Sequence, residues 1–173
     1  MNDVQLVPFV QVEGEWILSD WFLTNVYHQV RDQKLIKTVF WEGNIETLDE
    51  FISFTKKPTN IISFVFYDRI CIGMTWLSPV SGNHGFGHFC FLKQAWGKHT
   101  IRAGRMTMDY WMNFPGVGGP LLDVVIGVMP MFNTRAHAYI EKIGGVRLGV
   151  IPSMFRDKQF NRDDAVIYYF VRS

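Results

Sequence analysis

A strand-forming run, Phe86 to Leu92, leads directly into Gln94-Ala95-Trp96-Gly97-Lys98-His99-Thr100-Ile101, which opens a helix. Where a strand turns into a helix, the first backbone N–H groups have no intrahelical partner. The helix dipole adds partial positive charge at the same point, so the turn can hold an anion such as a pyrophosphate. Gly97 permits close backbone approach, and Lys98, His99 or Arg102 can add positive charge. A lone glycine also serves an ordinary turn, and the Walker pattern G-x-x-x-x-G-K-[ST] is absent.

Other side chains carry chemistry of their own. Period-two alternation puts Phe86, His88 and Cys90 on one strand face, and an imidazole there has an ordinary pKa suited to general-base work. An ordinary strand or core histidine has the same appearance. His84 lies in a glycine-rich turn, and His137 falls on a helix where solvation is the simpler reading. Cys90 has no basic neighbour in sequence to depress its pKa and reads as a small buried hydrophobe, as does Cys71. Asn133 is placed to cap a helix. Arg135, Lys142 and the Arg102/Arg105 pair read as surface charges, and Tyr110, Trp111 and Phe114 as core rings or a partner-contact cluster.

These residues need elements to position them. Val4 to Val12 alternates as a first strand. Ser19 or Asp20 caps a helix running to about Lys34, with Phe22, Val26 and Val30 on one face. Thr47-Leu48-Asp49-Glu50 is a capping-box pattern for a helix that stops before Pro58. Asn60 to Tyr67 and Arg69 to Leu77 form a hairpin joined at Asp68-Arg69. Ser78 to Gly85 reads as a turn, Phe86 to Leu92 as a strand and Lys98 to Met112 as a helix. Leu121 to Met129 is a buried strand, and Asn133 to Ile143 a helix stopped by Gly144-Gly145. Val146 to Ile151 and Ala165 to Arg172 close the chain as a strand pair. This order predicts an α+β, three-layer architecture: one domain over residues 1–173, with a mixed sheet between helices.

Composition narrows the function classes. The chain has 173 residues, 48% hydrophobic and 19% charged, enough for a core without disulfide or metal staples. With 17 Lys+Arg against 16 Asp+Glu the net charge is +1, so no basic surface for nucleic acid is expected. Two cysteines and no C-x-x-C pair point away from a disulfide framework or a metal site. Apolar runs break within about ten residues, too short for a bilayer span, and Met1 to Val12 does not read as a signal peptide. A soluble protein of a reducing, cytoplasmic compartment is the expectation. The unusual figure is 16% aromatic residues, which implies either a ring-rich core or rings lining a site.

Two segments together carry a resemblance. The strand ending at Met129, then Asn133-Thr134-Arg135-Ala136, then Glu141-Lys142-Ile143-Gly144 and a strand from Val146, resembles the C-terminal half of a GNAT-superfamily N-acyltransferase. Trp96-Gly97-Lys98 sits where that superfamily has its Q/R-x-x-G-x-G/A pyrophosphate loop. Asp164-Ala165-Val166-Ile167-Tyr168-Tyr169 is similar to the last strand of the branch that acetylates ribosomal-protein N-termini. The likeness runs from Asn60 to Arg172.

The resemblance implies a mixed, mostly antiparallel sheet with two splayed central parallel strands, Phe86–Leu92 and Leu121–Met129, and helices on both faces. It implies acetyl-CoA as cofactor, its pantetheine between those strands near Leu92. Its diphosphate would rest on Trp96, Gly97, Lys98, His99, Thr100 and Ile101, with a further contact at Asn133, and no metal. It implies direct attack by an amine, held by small molecule or protein, in a ternary complex with His88 as candidate base. The chain departs from the pattern in three places: His99 and Ile101 stand at small-residue positions of the loop, and Ile140 stands where a tyrosine general acid is frequent. A second reading follows from the departures, a non-catalytic assembly or interaction protein of the same fold. The aromatic-rich, motif-poor chain also resembles small phage-encoded proteins, which implies virion or head assembly and a virion-associated location.

Overall fold

The computed structural model describes residues 3–40, 45–156 and 161–172. The N-terminal part contains β1 (Val4–Pro8), the small hairpin β2 (Gln11–Val12) and β3 (Glu15–Trp16), then α1 (Asp20–Asp32), α2 (Ile36–Val39) and α3 (Leu48–Thr55). Next come β4 (Ile61–Tyr67), β5 (Ile70–Ser81), β6 (His84–Phe91), a 3-10 turn at Lys93–Ala95 and α4 (Lys98–Met112). The chain ends with a small hairpin, β7 (Pro115–Gly116) and β8 (Gly119–Pro120), then β9 (Val124–Pro130), α5 (Thr134–Lys142), β10 (Val146–Arg156) and β11 (Arg162–Val171). Seven strands form one sheet in the order β1-β4-β5-β6-β9-β11-β10. Every neighbouring pair in it is antiparallel except β6–β9.

Local chemistry accounts for several boundaries. The Thr47 hydroxyl accepts the Glu50 N–H and the Glu50 carboxylate accepts the Thr47 N–H, the reciprocal cap the sequence predicts. Ser19 caps α1. Asp68 and Arg69 both take positive φ, 50° and 66°, as a two-residue hairpin turn needs. Two expectations are corrected. The first strand ends at Pro8 and gives way to the β2–β3 hairpin. Ser78 to Gly85 is not one turn: β5 runs on to Ser81, crossing an irregularity between Leu77 and Val80, and only Gly82-Asn83 turn the chain. An irregularity is where a ladder can accept Pro79, which has no N–H to donate.

Side-chain alternation sorts the core onto the two faces of the sheet. Phe64 and Ile62 of β4, Met74 and Trp76 of β5 and Cys90 of β6 pack with Leu23, Val26, Val30 and Phe51 from α1 and α3. On the other face, Trp111 and Met108 of α4 and Ile140 of α5 pack with Val125, Val166, Tyr168 and Phe170. Val65, Ile72 and Phe91 meet Ala103 of α4 on that second face. Many rings contact one another, among them Phe22–Phe64, Phe40–Trp76 and Phe89–Trp111. Trp111 is fully buried, so it is a core ring and not a partner contact. Among the described residues, the rings left exposed are Trp21, Trp96 and Phe132.

Candidate active site

The pairing of the two central strands stops early. Only His84–Val124, Gly85–Val125 and Phe86–Ile126 are in register. Past Phe86 and Ile126 the two strands part. Gly87 to Phe91 stays paired to β5, and Gly127 to Pro130 stays paired to β11, but not to each other. A wedge therefore opens in the middle of the sheet, with backbone on both of its walls. An extended amide-bearing chain can enter such a gap and satisfy those backbone groups as an added strand would.

His88 stands two residues beyond the last paired position, at the apex of the wedge. Its ring stacks on Trp76 at 4.9 Å between centroids, and its Nε2 lies 3.0 Å from the Ser78 carbonyl oxygen. A carbonyl only accepts, so Nε2 carries the proton and the lone pair of the neutral ring is on Nδ1. Burial pushes the His88 pKa below its ordinary value, only partly countered by the Ser78 carbonyl. The ring is thus neutral and proton-accepting at neutral pH. Cys90 lies two residues further along the same face, fully buried, its thiol pushed up to about 12 by burial and then by Cys71. A thiol in that state is not a nucleophile.

The mouth of the wedge is the start of α4. Gly97 adopts φ 120° and ψ −136°, a conformation closed to other residues, and an added Cβ would meet nothing within 4 Å. Thr100 is turned inward and caps its own helix: its Oγ1 donates to the Gly97 carbonyl at 2.9 Å and accepts the Gly97 N–H at 3.3 Å. The N–H groups of Lys98, His99 and Thr100 have no partner within the helix. Lys98 is exposed.

His99 does not crowd this cradle. Its ring packs on Tyr67 at 4.0 Å, towards the β4 side. Ile101 points into the second core instead of the loop. Leu92 has a fully buried side chain and uses its backbone on Ile72 and Ala95, so it ends the wedge wall without facing it. Asn133 caps α5 through its Oδ1 to the Ala136 N–H at 3.3 Å.

Two features escaped sequence reasoning. The Arg135 guanidinium lies 3.9 Å over the Trp96 ring, and Trp96 Nε1 donates to the Phe91 carbonyl at 3.0 Å. The loop that opens α4 and the first turn of α5 are thereby tied together across the wedge mouth. A first-turn arginine after an Asn cap was the only signal. Second, His137 is half-buried instead of solvated, with Nε2 3.1 Å from the Pro130 carbonyl oxygen at the end of β9. Tyr139 points inward, buried against Gly104 of α4, which leaves no tyrosine of α5 aimed at the wedge. Arg102 pairs with Asp3, and Arg105 donates to the Lys142 carbonyl. Among the described residues no cluster of metal-ligating side chains occurs. No helix is long and apolar enough to cross a membrane.

No protein-family model and no curated protein sequence matches the chain. Solved structures do. The spermidine N-acetyltransferase from Vibrio cholerae in complex with CoA and spermine is 16% identical with a TM-score of 0.73, over 97% of this chain and 95% of that one. The Microcin C7 self immunity acetyltransferase MccE in complex with acetyl-CoA and AMP is 16% identical with a TM-score of 0.71, over 89% of each chain. An acetyl transferase from Salmonella typhimurium that modifies the N-terminal serine of ribosomal protein L7/L12 is 8% identical with a TM-score of 0.72, over 98% and 95%. At such identities the likeness shows the fold: this chain has the mixed α+β fold of the GNAT acetyltransferases.

Proposed function

We propose that the chain transfers an acetyl group from acetyl-CoA to an amine. The observation that carries the reading is the loss of pairing beyond Phe86–Ile126, which leaves an open wedge between β6 and β9. A non-catalytic protein of this fold, in a virion or elsewhere, has no need of that gap, and a closed ladder would stabilise it more. The anion cradle at Gly97, Lys98, His99 and Thr100 lies at the wedge mouth, and His88 lies at its apex. The residues present fit the cofactor: free backbone on two walls, free N–H groups at a helix start, and open space at Gly97.

The cofactor supplies an activated acyl thioester. The chain's own residues hold it and manage the proton. The wall strands orient the extended arm, and the start of α4 with Lys98 and Arg135 neutralises the diphosphate, Asn133 lying on the same α5 turn. The His88 Nδ1 lone pair takes the proton of the incoming ammonium, directly or through a water. With acetyl-CoA bound, forming the C–N bond would break the thioester C–S bond, and the departing thiolate would take its proton from solvent. Solvent is needed because Ile140 occupies the place of an acid and Tyr139 is turned away.

The test is turnover of acetyl-CoA with an amine panel, read as free thiol. His88→Gln should lower kcat by about 10² or more while leaving the acetyl-CoA Kd unchanged. Equal turnover in the two proteins would remove His88 from the mechanism.

A further inference from the structure

The helical layers do not cover the whole sheet. On the face that carries His88, α1 and α3 pack over β4, β5 and the Cys90 end of β6, and among the described residues that core takes none from β9, β10 or β11. Strand register fixes what lies on the uncovered half. Phe86 pairs with Ile126, Ile126 with Tyr169 and Tyr169 with Val146, while Val128 pairs with Ile167. These six side chains share the face of His88, since opposed residues in a ladder point the same way. All six are half-buried or exposed, Val146 at 49%, and none packs into any of the three core clusters. The opposite side of β9 and β11 packs against α4 and α5 through Val125, Val166, Tyr168 and Phe170.

This surface is apolar, and the carboxylates nearest to it are engaged. Asp163 shares the face at the start of β11, but its Oδ2 lies 3.4 Å from the Phe132 N–H. Asp164 Oδ1 accepts the Ser153 N–H at 2.8 Å. Asp123 holds Asn83 at 2.9 Å and Arg172 at 3.7 Å. Among the described residues, the exposed stretch from Phe86 to the Val128–Ile167 pair carries no carboxylate to receive a second ammonium group, and Asp163 lies beyond the buried Pro130–Ala165 pair.

We propose that this half-face, Phe86, Ile126, Val128, Ile167 and Tyr169 beside His88, is the acceptor platform, and that it takes a primary amine on an uncharged, apolar body of the arylalkylamine class. The inference rests on the acetyl-transfer reading and deepens it. The platform begins where the wedge apex and His88 lie, so a bound amine reaches the reacting centre while its body rests on the strand side chains. An aromatic body replaces water on apolar surface and can stack on Tyr169 or Phe86. A polyamine would bring further cations onto a surface with no partner for them, at the cost of their hydration. The amine arrives as an ammonium and gives its proton to the neutral imidazole of His88 at the edge of the platform.

The experiment first measures acetyl-CoA binding by calorimetry, then thiol release with 2-phenylethylamine, tryptamine, spermine and a serine-initiated peptide. We expect kcat/KM for the two arylalkylamines at least about ten-fold above spermine and the peptide. Tyr169→Asp should lower the arylalkylamine values by about ten-fold or more with the acetyl-CoA Kd unchanged. Val128→Thr, nearly isosteric, should shift selectivity in the same direction if Tyr169→Asp does not fold. A preference for spermine or the peptide, or acetyl-CoA binding without arylalkylamine turnover, overturns the acceptor class and leaves the parent reading standing. Failure of acetyl-CoA to bind overturns both. Conversion of a dimer to a monomer by Tyr169→Asp in sedimentation, with selectivity unchanged, assigns the platform to a second copy and overturns the proposal.

Discussion

At the scale of single residues, the role proposed for His88 rests on its position and its tautomer. The Ser78 carbonyl fixes the proton on Nε2 and Trp76 fixes the plane of the ring. Burial lowers its pKa below the ordinary value. The rate should therefore be flat at neutral pH and fall with acid only once the pH passes below about 6.5, the ordinary imidazole value. A pH profile of kcat/KM checks this, and a fall centred above that value would contradict a buried neutral base. Trp76→Leu should leave acetyl-CoA binding intact and reduce kcat, because it removes the surface that holds the imidazole. Gly97 was legible as the glycine of the turn, and its φ of 120° is a conformation that favours glycine. The direction of His99 was not legible, because it depends on a ring, Tyr67, that is distant in sequence and meets it only in the folded sheet.

At the scale of elements, the helices were the easier part. Their caps are local chemistry: Ser19, Thr47 and Asn133 each bond to a backbone N–H within three residues. Asn133→Ala should cost about 1 kcal/mol in chemical denaturation, as loss of a cap does. The packing between α4 and α5 is tighter than any sequence pattern reveals. A Cβ at Gly104 would lie 2.1 Å from the Tyr139 hydroxyl and 2.9 Å from Ile143 Cγ2. Gly104→Ala should therefore destabilise the protein by about 1–3 kcal/mol, against the small gain normally expected from alanine in a helix. Gly104→Ala with Tyr139→Phe should recover part of that loss. Strand ends were harder. Pro79 read as a breaker, yet the pairing of β5 with β6 carries the strand across it. The two bulged stretches of β10 likewise extend it to Arg156, beyond the Ile151 at which its apolar run stops.

At the scale of the molecule, the sheet has two unequal halves joined by three residue pairs. The order of elements suffices to predict a mixed sheet between helices. Where β6 and β9 part company is a non-local, parallel-pairing property, and only the resemblance carried by the Trp96-Gly97-Lys98 loop and the Asn133-to-Gly144 segment together pointed to it. The near-neutral charge is consistent with the proposed site, in which backbone N–H groups and a few local cations, Lys98 and Arg135 foremost, would recognise the anion. Both thiols are buried and raised, Cys71 to about 11 and Cys90 to about 12, so native protein at pH 8 should resist iodoacetamide that alkylates both once unfolded. His88 also links stability to pH. Its folded pKa is depressed, so the unfolded chain binds the proton better, and stability should decline as pH falls below about 6.5.

The most direct measurement is a calorimetric titration of the protein with acetyl-CoA, beside Gly97→Asp and His88→Gln. An acidic side chain at Gly97 meets a strained backbone conformation and a diphosphate of like charge. The account predicts one-to-one binding to the wild-type chain, unchanged binding to His88→Gln and loss of binding to Gly97→Asp. No heat of binding at high micromolar acetyl-CoA, or equal binding with and without the Gly97 substitution, would contradict it.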